Sequence, residues 1–186
     1  IGGKKILGFG VAPESIGLGS TFRYKDFNAS ILVEGKMGGS FYSGTNNWYK
    51  VYGLHKDTVP AGGREAGFTP DGVMEDGTVI TTSIPHSKIE DYWAQTLNIG
   101  EENIYSSDYM RLRQLSIGYN LPSDMLEGSF ITNATVSLIG RNLLLLSNSS
   151  DNIDPESSYS AGNAVGLERA GMPVPRTIGL NINLKF

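Results

Sequence analysis

The last ten residues, TIGLNINLKF from Thr177 to Phe186, constrain the fold more than any other stretch. Ile178, Leu180, Ile182, Leu184 and Phe186 occupy every second position, and Thr177, Gly179, Asn181, Asn183 and Lys185 fill the gaps. That unbroken period of two describes a strand with one oily and one wet face. At a rise of about 3.3 Å per residue and a tilt of about 40°, ten such residues climb roughly 25 Å, the height of the apolar band on a transmembrane β-barrel. A strand of a soluble sandwich is nearer five or six residues. An amphipathic terminal strand of such a sandwich is the competing reading.

Glycine makes up 24 of the 186 residues, nearly twice its usual share, and the apolar fraction of 39% lies below the soluble-domain average. Barrel strands, in which only alternate residues meet lipid, have that balance. A net charge of −4 offers no basic excess, so there is no electrostatic case for a nucleic-acid partner. No run of about 18 apolar residues exists, which excludes a transmembrane helix. The longest apolar run is Leu143 to Leu146. Without cysteine, neither a disulfide nor a thiolate metal site is available. The chain starts at Ile1 with no methionine or signal sequence, so it is expected to begin inside a longer precursor.

Read in order, residues 1–14 form a glycine-containing loop, after which alternation predicts strands at 15–24 and 27–36 joined by a tight Lys25–Asp26 turn. A long loop follows from 37 to 108, and within it SKIEDYWAQT predicts a short helix capped by Ser87 with Glu90 three residues on. The next strand, 109–120, changes phase: Met110 and Leu112 lie on one face, Leu115, Ile117 and Tyr119 on the other. A bulge near Arg113 or Gln114 reconciles them. Otherwise Arg111 and Arg113 face outward, near the outer edge of a membrane, where they could meet lipopolysaccharide phosphates. A compact turn at 121–130, with Ser123 as a candidate cap, leads to a strand at 131–140 whose apolar positions are Ala134, Val136 and Leu138. A second long loop, 141–176, precedes the terminal strand at 177–186. Leu143 to Leu146 continues the fourth strand into the loop base, or else forms a patch that docks a partner.

The connections therefore run short, long, short, long. In an up-and-down meander this puts the short ones on one side and the long ones on the other, the asymmetry of periplasmic turns and extracellular loops in outer-membrane barrels. Five strands cannot close a barrel, since the smallest such barrels have eight. In lipid an open edge leaves amides unpaired at several kcal/mol each, so these strands are expected to pair with sequence upstream. The expected fold is all-β: the C-terminal five strands of a larger transmembrane antiparallel barrel.

Motifs for covalent chemistry are missing. His55 and His86 are loop residues without metal-ligand spacing and are expected at the surface. No G-x-S-x-G elbow and no phosphate-cradling G-x-x-x-x-G-K loop occurs. Adjacent acids such as Glu75–Asp76, Glu90–Asp91 and Glu101–Glu102 read as solvated charge, not as a glycosidase pair. Asp71, Glu75 and Asp76, or Asp151, Asp154 and Glu156, could offer oxygen ligands to calcium. Neither set follows the D-x-D-x-D-G order, and turn capping or partner contact is the better account. No enzyme activity, metal or cofactor is expected.

TFRYKDFNASILVEGKMGG, DYMRLRQLSIGYNLP at 108–122, VSLIGRNLLLL at 136–146, the DPE at 154–156 and PRTIGLNINLKF together resemble the SusC/RagA-like TonB-dependent outer-membrane transporters of Bacteroidetes. The resemblance covers most of the chain outside the long loops. It implies a barrel of about 22 strands filled by an N-terminal plug, with the last five strands represented here. It also implies a place in the bacterial outer membrane and a SusD-like surface lipoprotein as a lid. Glycans or oligopeptides would be the cargo, with energy from the TonB complex through the missing N-terminal region. The terminal Phe186, with Leu184 and Ile182, resembles the signal read by the barrel assembly machinery. On the extracellular side Trp48, Tyr49, Tyr52, Tyr92 and Trp93 could stack on sugars or bury against the lid, or pack the long loop upon itself. Asn28, Ser30, Glu34, Asn181 and Asn183 would face the lumen or plug. The alternative function is a soluble or cell-surface all-β glycan-binding module using the same rings.

Overall fold

The computed structural model describes residues 5–158 and 162–186. Residues 1–4, within the loop expected before the first strand, and 159–161, within the second long loop, lie outside the described residues. In chain order the strands are β1 (Glu14–Tyr24), β2 (Phe27–Met37), β3 (Ser40–Ser43), β4 (Ile104–Ser106), β5 (Tyr109–Asn120), β6 (Asn133–Asn148), β7 (Leu167–Glu168) and β8 (Thr177–Lys185). Strands β1, β2, β5, β6 and β8 pair antiparallel in that order into one open sheet, with β1 and β8 at its edges. The β1–β2 turn is tight because Lys25 adopts a left-handed conformation, φ 52°.

The register explains why the alternation works. Leu18, Phe22 and Tyr24 lie opposite Val33, Ala29 and Phe27. Those in turn lie opposite Leu112, Ile117 and Tyr119. Tyr119 and Ile117 face Val136 and Leu138, which face Ile182 and Leu180. Directly opposed residues project to one side of a sheet, so these rows merge into a single apolar surface across all five strands. Nothing covers it. Ile178, Leu180, Ile182 and Leu184 are 75%, 66%, 58% and 42% exposed, where a sandwich would have buried them under a second sheet.

Strand β5 keeps its apolar residues on that surface by a bulge at Arg113: Leu32 pairs with Gln114 and Val33 with Leu112, leaving Arg113 as the extra residue. Strand β6 answers with its own irregularity, because Gln114 faces Arg141 while Leu112 faces Leu144, and Asn142 takes φ 52°. This second break is where the alternation is lost in the sequence, and it made residue 140 look like the end of the strand. In the structure pairing resumes at Leu144 and continues to Asn148, so the run Leu143 to Leu146 does continue the fourth strand, and the strand extends well past residue 140.

Past the paired Gly38–Gly39, where φ at Gly38 is +80°, the β2–β5 ladder continues as a second sheet of order β4-β3-β7. Gly38 N donates to Asp108 Oδ1 at 2.7 Å and Ser107 N to the Gly39 carbonyl at 3.0 Å, which fixes the bend. Two helices, α1 (Gly44–Val51) and α2 (His86–Thr96), pack with this small sheet into a cap built from both long connections. Both capping expectations fail. Pro85 occupies the N-cap of α2 and Pro122 that of the 3-10 turn at Ser123–Met125, neither cap residue has a side-chain donor or acceptor, and Ser87 and Ser123 lie inside their first turns. At the opposite end of the large sheet, Tyr24, Phe27 and Tyr119 form a row, and Phe130 stacks on Phe186 at 5.6 Å between ring centroids.

Candidate functional site

The polar face of the large sheet carries a charged cluster at the cap end. The bulge sets Arg111 and Arg113 side by side there. Arg111 Nη2 lies 2.7 Å from Asp154 Oδ1 and its Nε 3.0 Å from Glu156 Oε2. Arg113 reaches Glu34 Oε2 and Glu156 Oε1, both at 2.9 Å, and donates to Asn142 Oδ1 at 2.8 Å. Asp154 is itself fixed by the turn it starts: Oδ1 accepts from Glu156 N at 3.0 Å and Oδ2 from Val174 N at 3.2 Å. Asn142, displaced by the β6 irregularity, donates to the Pro175 carbonyl at 3.2 Å. Three separated stretches, RLR, GRN and DPE, thus meet at one point and fasten the second long loop across the polar face. The charge-assisted fork of Arg113 on the two Glu156 oxygens holds geometry well.

This placement corrects the outward reading of Arg111 and Arg113: both guanidinium groups point away from the apolar surface. The calcium reading of Asp154 and Glu156 loses its ligands to the same pairs. Asp151 pairs with Lys56 at 2.7 Å, and that hydrogen bond holds its carboxyl below the usual range. Asp76 accepts from Thr78 N and Oγ1 in a turn.

In the cap, Glu168 is buried and receives four donors: Ser43 Oγ at 2.7 Å, Thr45 Oγ1 at 2.6 Å, Thr45 N at 3.4 Å and Gly171 N at 3.1 Å. It ties β7 and the following turn to the start of α1, where Ser43 Oγ also accepts from Asn46 N. Helix α1 turns its amide and ammonium side chains inward. Asn47 Nδ2 donates to Tyr42 OH and the Leu97 carbonyl, and the Lys50 ammonium to the Glu102 carbonyl. Trp48, Tyr49 and Tyr52 are left outside, with Trp48 and Tyr52 stacked at 5.6 Å and 17° between ring planes. Tyr92 and Trp93 sit elsewhere. They pack on Phe68 at 5.2 and 5.7 Å, and Trp93 is buried, so these two rings serve the cap's own packing. The five aromatics picked from the sequence therefore split into an exposed trio and an internal pair.

His86 is exposed, as expected of a loop histidine, with Nδ1 2.6 Å from the Arg64 carbonyl. His55 is not: it is 1% exposed, and its Nδ1 accepts from Asp57 N at 3.2 Å. Burial lowers its pKa below 6.5 even though Asp57 and Asp151 push it up. Ile182, Leu184 and Phe186 lie on edge strand β8 or just past it, with Phe186 exposed beside Phe130.

No family model matches the chain. Two receptors of the bacterium Formosa agariphila align along nearly all of it: TonB-dependent receptor P3 is 26% identical over 98% of the chain, and TonB-dependent receptor P26 is 29% identical over 97%. The chain is homologous to TonB-dependent receptors. It spans 17% and 18% of the length of those two relatives. Its fold is similar to that of the RagAB peptide importer in the closed-closed state, with a TM-score of 0.65 and 19% identity over 98% of this chain and 18% of that one. A second RagAB structure, described as a peptide transporter, gives 0.54 and 16% over 91% of this chain and 16% of that one. Both relatives are named as TonB-dependent receptors, and at 16–19% identity the likeness to RagAB is one of fold.

Proposed function

We propose that this chain forms the last five strands and two extracellular loops of a barrel that imports nutrients across the bacterial outer membrane, driven by TonB. The observation that carries the reading is the sheet's two-sidedness. One face is apolar and uncovered across all five strands, with an aromatic row at the short-turn end; the other carries Asn28, Ser30, Gln114, Asn181 and Asn183. Acyl chains suit the first face and a water-filled or plugged lumen the second. The aromatic row then marks the periplasmic interface, and the cap lies on the cell surface. Edges β1 and β8 pair with the missing strands, because open edges are not tolerated in hydrocarbon.

Transport in this reading needs no bond chemistry. The Arg111–Arg113 cluster fastens the second loop over the lumen, so the wall keeps its shape while a plug, elsewhere in the protein, is moved by TonB. A SusD-like lipoprotein closes the outer mouth, the cargo is a glycan or an oligopeptide, and Phe186 with Ile182 and Leu184 is read by the assembly machinery. The test is uptake by cells carrying the full-length protein. It is expected to be abolished by deletion of TonB, and the protein is expected in the outer-membrane fraction with heat-modifiable mobility. Recovery as a monodisperse protein in detergent-free buffer would instead support a soluble glycan-binding module.

A further inference from the structure

His55 is buried where the two long connections meet. It caps the 3-10 turn Lys56–Thr58: Nδ1 accepts from Asp57 N at 3.2 Å, and its carbonyl accepts from Thr58 N at 3.0 Å and Thr58 Oγ1 at 2.6 Å. The turn aims Lys56 at the second long connection, where its ammonium meets Asp151 Oδ2 at 2.7 Å. On the same side the Asp151 carbonyl accepts from Asn46 Nδ2 of α1 at 3.0 Å. An exposed pair such as Lys56–Asp151 contributes little unless its members are held in place, and here the capped turn holds one of them.

The cap on this turn requires a neutral ring. Because Nδ1 accepts a hydrogen bond, the ring carries its proton on Nε2, an atom that is buried without a partner among the described residues. A second proton must go on Nδ1, where it would face the Asp57 N–H that Nδ1 now accepts from. The charged groups around the ring do not offset that loss. From α1 comes the buried Lys50 ammonium, 4.0 Å from Asp57 Oδ2, so the carboxylate that could receive an imidazolium, 3.2 Å from Nδ1, already serves one cation and is half exposed to water. Lys56 adds positive charge from the turn itself, and Asp151, from the second connection, is committed to Lys56. Glu102, from the 3-10 turn Gly100–Asn103, lies 3.6 Å from Lys50. Tyr105 on β4 stays neutral, because burial pushes its phenol up to about 12. The net result is that burial holds the His55 pKa below 6.5 against the pull of Asp57 and Asp151. The Asp151 carboxyl is held below the usual range by Lys56 and remains ionised while the imidazole titrates.

We propose that His55 is a proton-operated latch between the two long connections: neutral, it sets the turn that carries Lys56 to Asp151; protonated, it leaves the turn and frees the second connection from the first. The latch adds a regulation that the importer reading does not contain, and it rests on that reading only in placing the cap at the outer mouth. The neutral ring belongs to the closed form, so the latch is shut above 6.5 and opens as pH falls below that value. One proton linked to opening raises the open-to-closed ratio by at most about tenfold per pH unit. The Arg111–Arg113 cluster contains no histidine, so the fastening to the sheet stays while the seam within the cap opens.

The test is the distance between spin labels on the full-length protein in lipid nanodiscs, attached through Val59→Cys and Ser149→Cys, both exposed, in a background otherwise free of cysteine. One narrow distance distribution is expected at about pH 7.5, and a longer, broader one should replace it towards about pH 5.5. His55→Gln, whose amide oxygen can still accept from Asp57 N but takes no proton, should keep the narrow distribution at both values. Lys56→Met should give the long one already at the higher pH. His86→Gln, at an exposed histidine outside the seam, should titrate like the wild type. A wild-type distribution that does not change with pH, a response that survives in His55→Gln, or a Lys56→Met variant that stays narrow overturns the proposal. The wild-type and Lys56→Met arms decide it even where His55→Gln does not fold. The readout is a distance in a resting protein, so failure of the latch leaves the importer standing. Uptake that survives loss of TonB would sink the importer and leave the distances intact.

Discussion

Arg111 is held between Asp154 and Glu156 with its side chain only 4% exposed. A buried pair gains little over an apolar substitute, yet removing one partner strands the other, at about 3–5 kcal/mol. Arg111→Ala is therefore expected to free the second long loop while leaving the sheet's pairing intact. Limited proteolysis of the membrane-embedded protein should show new cleavage within 149–176 and none in β5 or β6. His55 gives a second prediction at this scale. Burial lowers its pKa in the folded cap, so the unfolded segment binds a proton at about 6.5 that the folded one refuses. The contribution is fully present above 6.5 and is lost as pH falls below that value. Protection factors for the amides of residues 55–58 should drop between about pH 7.5 and about pH 5.5, and His55→Gln should flatten the change.

Strand β5 shows what the sequence could and could not reveal. Its phase change between Leu112 and Leu115 demanded an inserted residue, because side chains alternate with a period of two and the lipid-side pattern must stay in phase. The same logic found β1, β2 and β8. It stopped short in β6, where two breaks within a few residues destroyed the period although the pairing recovered. The charged cluster was also out of reach. Its partners are 43 residues apart in Arg111–Asp154 and 79 apart in Arg113–Glu34, and no local pattern encodes such a meeting. Two arginines two positions apart, at the point where the alternation changes phase, were the available clue. In α1 the rings were visible in the sequence, but which would face outward depended on the burial of Asn46, Asn47 and Lys50. Deleting Arg113 outright should turn Met110 and Leu112 to the polar side and abolish assembly, whereas Arg113→Ala keeps the inserted residue and should still insert. Heat-modifiable mobility of the two variants in the outer-membrane fraction separates loss of register from loss of charge.

At the scale of the whole molecule, the assignment of the two faces to lipid and lumen is open to a direct contrast between neighbours. Leu180 lies mid-strand, opposite Leu138, on the apolar face; Asn181, opposite Ser137, points the other way. Both are exposed in the isolated sheet and differ only in which side they address. If the apolar face meets acyl chains, an arginine at Leu180 must put its charge near the bilayer midplane, at about 2–4 kcal/mol. An arginine at Asn181 enters an aqueous or plugged lumen at little cost. Folded yield of the full-length protein in lipid vesicles, titrated with denaturant, should therefore fall markedly for Leu180→Arg and hardly for Asn181→Arg. Equal effects would mean that the two faces see the same solvent. The alternation that runs through Ile178, Leu180, Ile182 and Leu184 would then reflect a missing protein layer, and the membrane reading would have to be withdrawn.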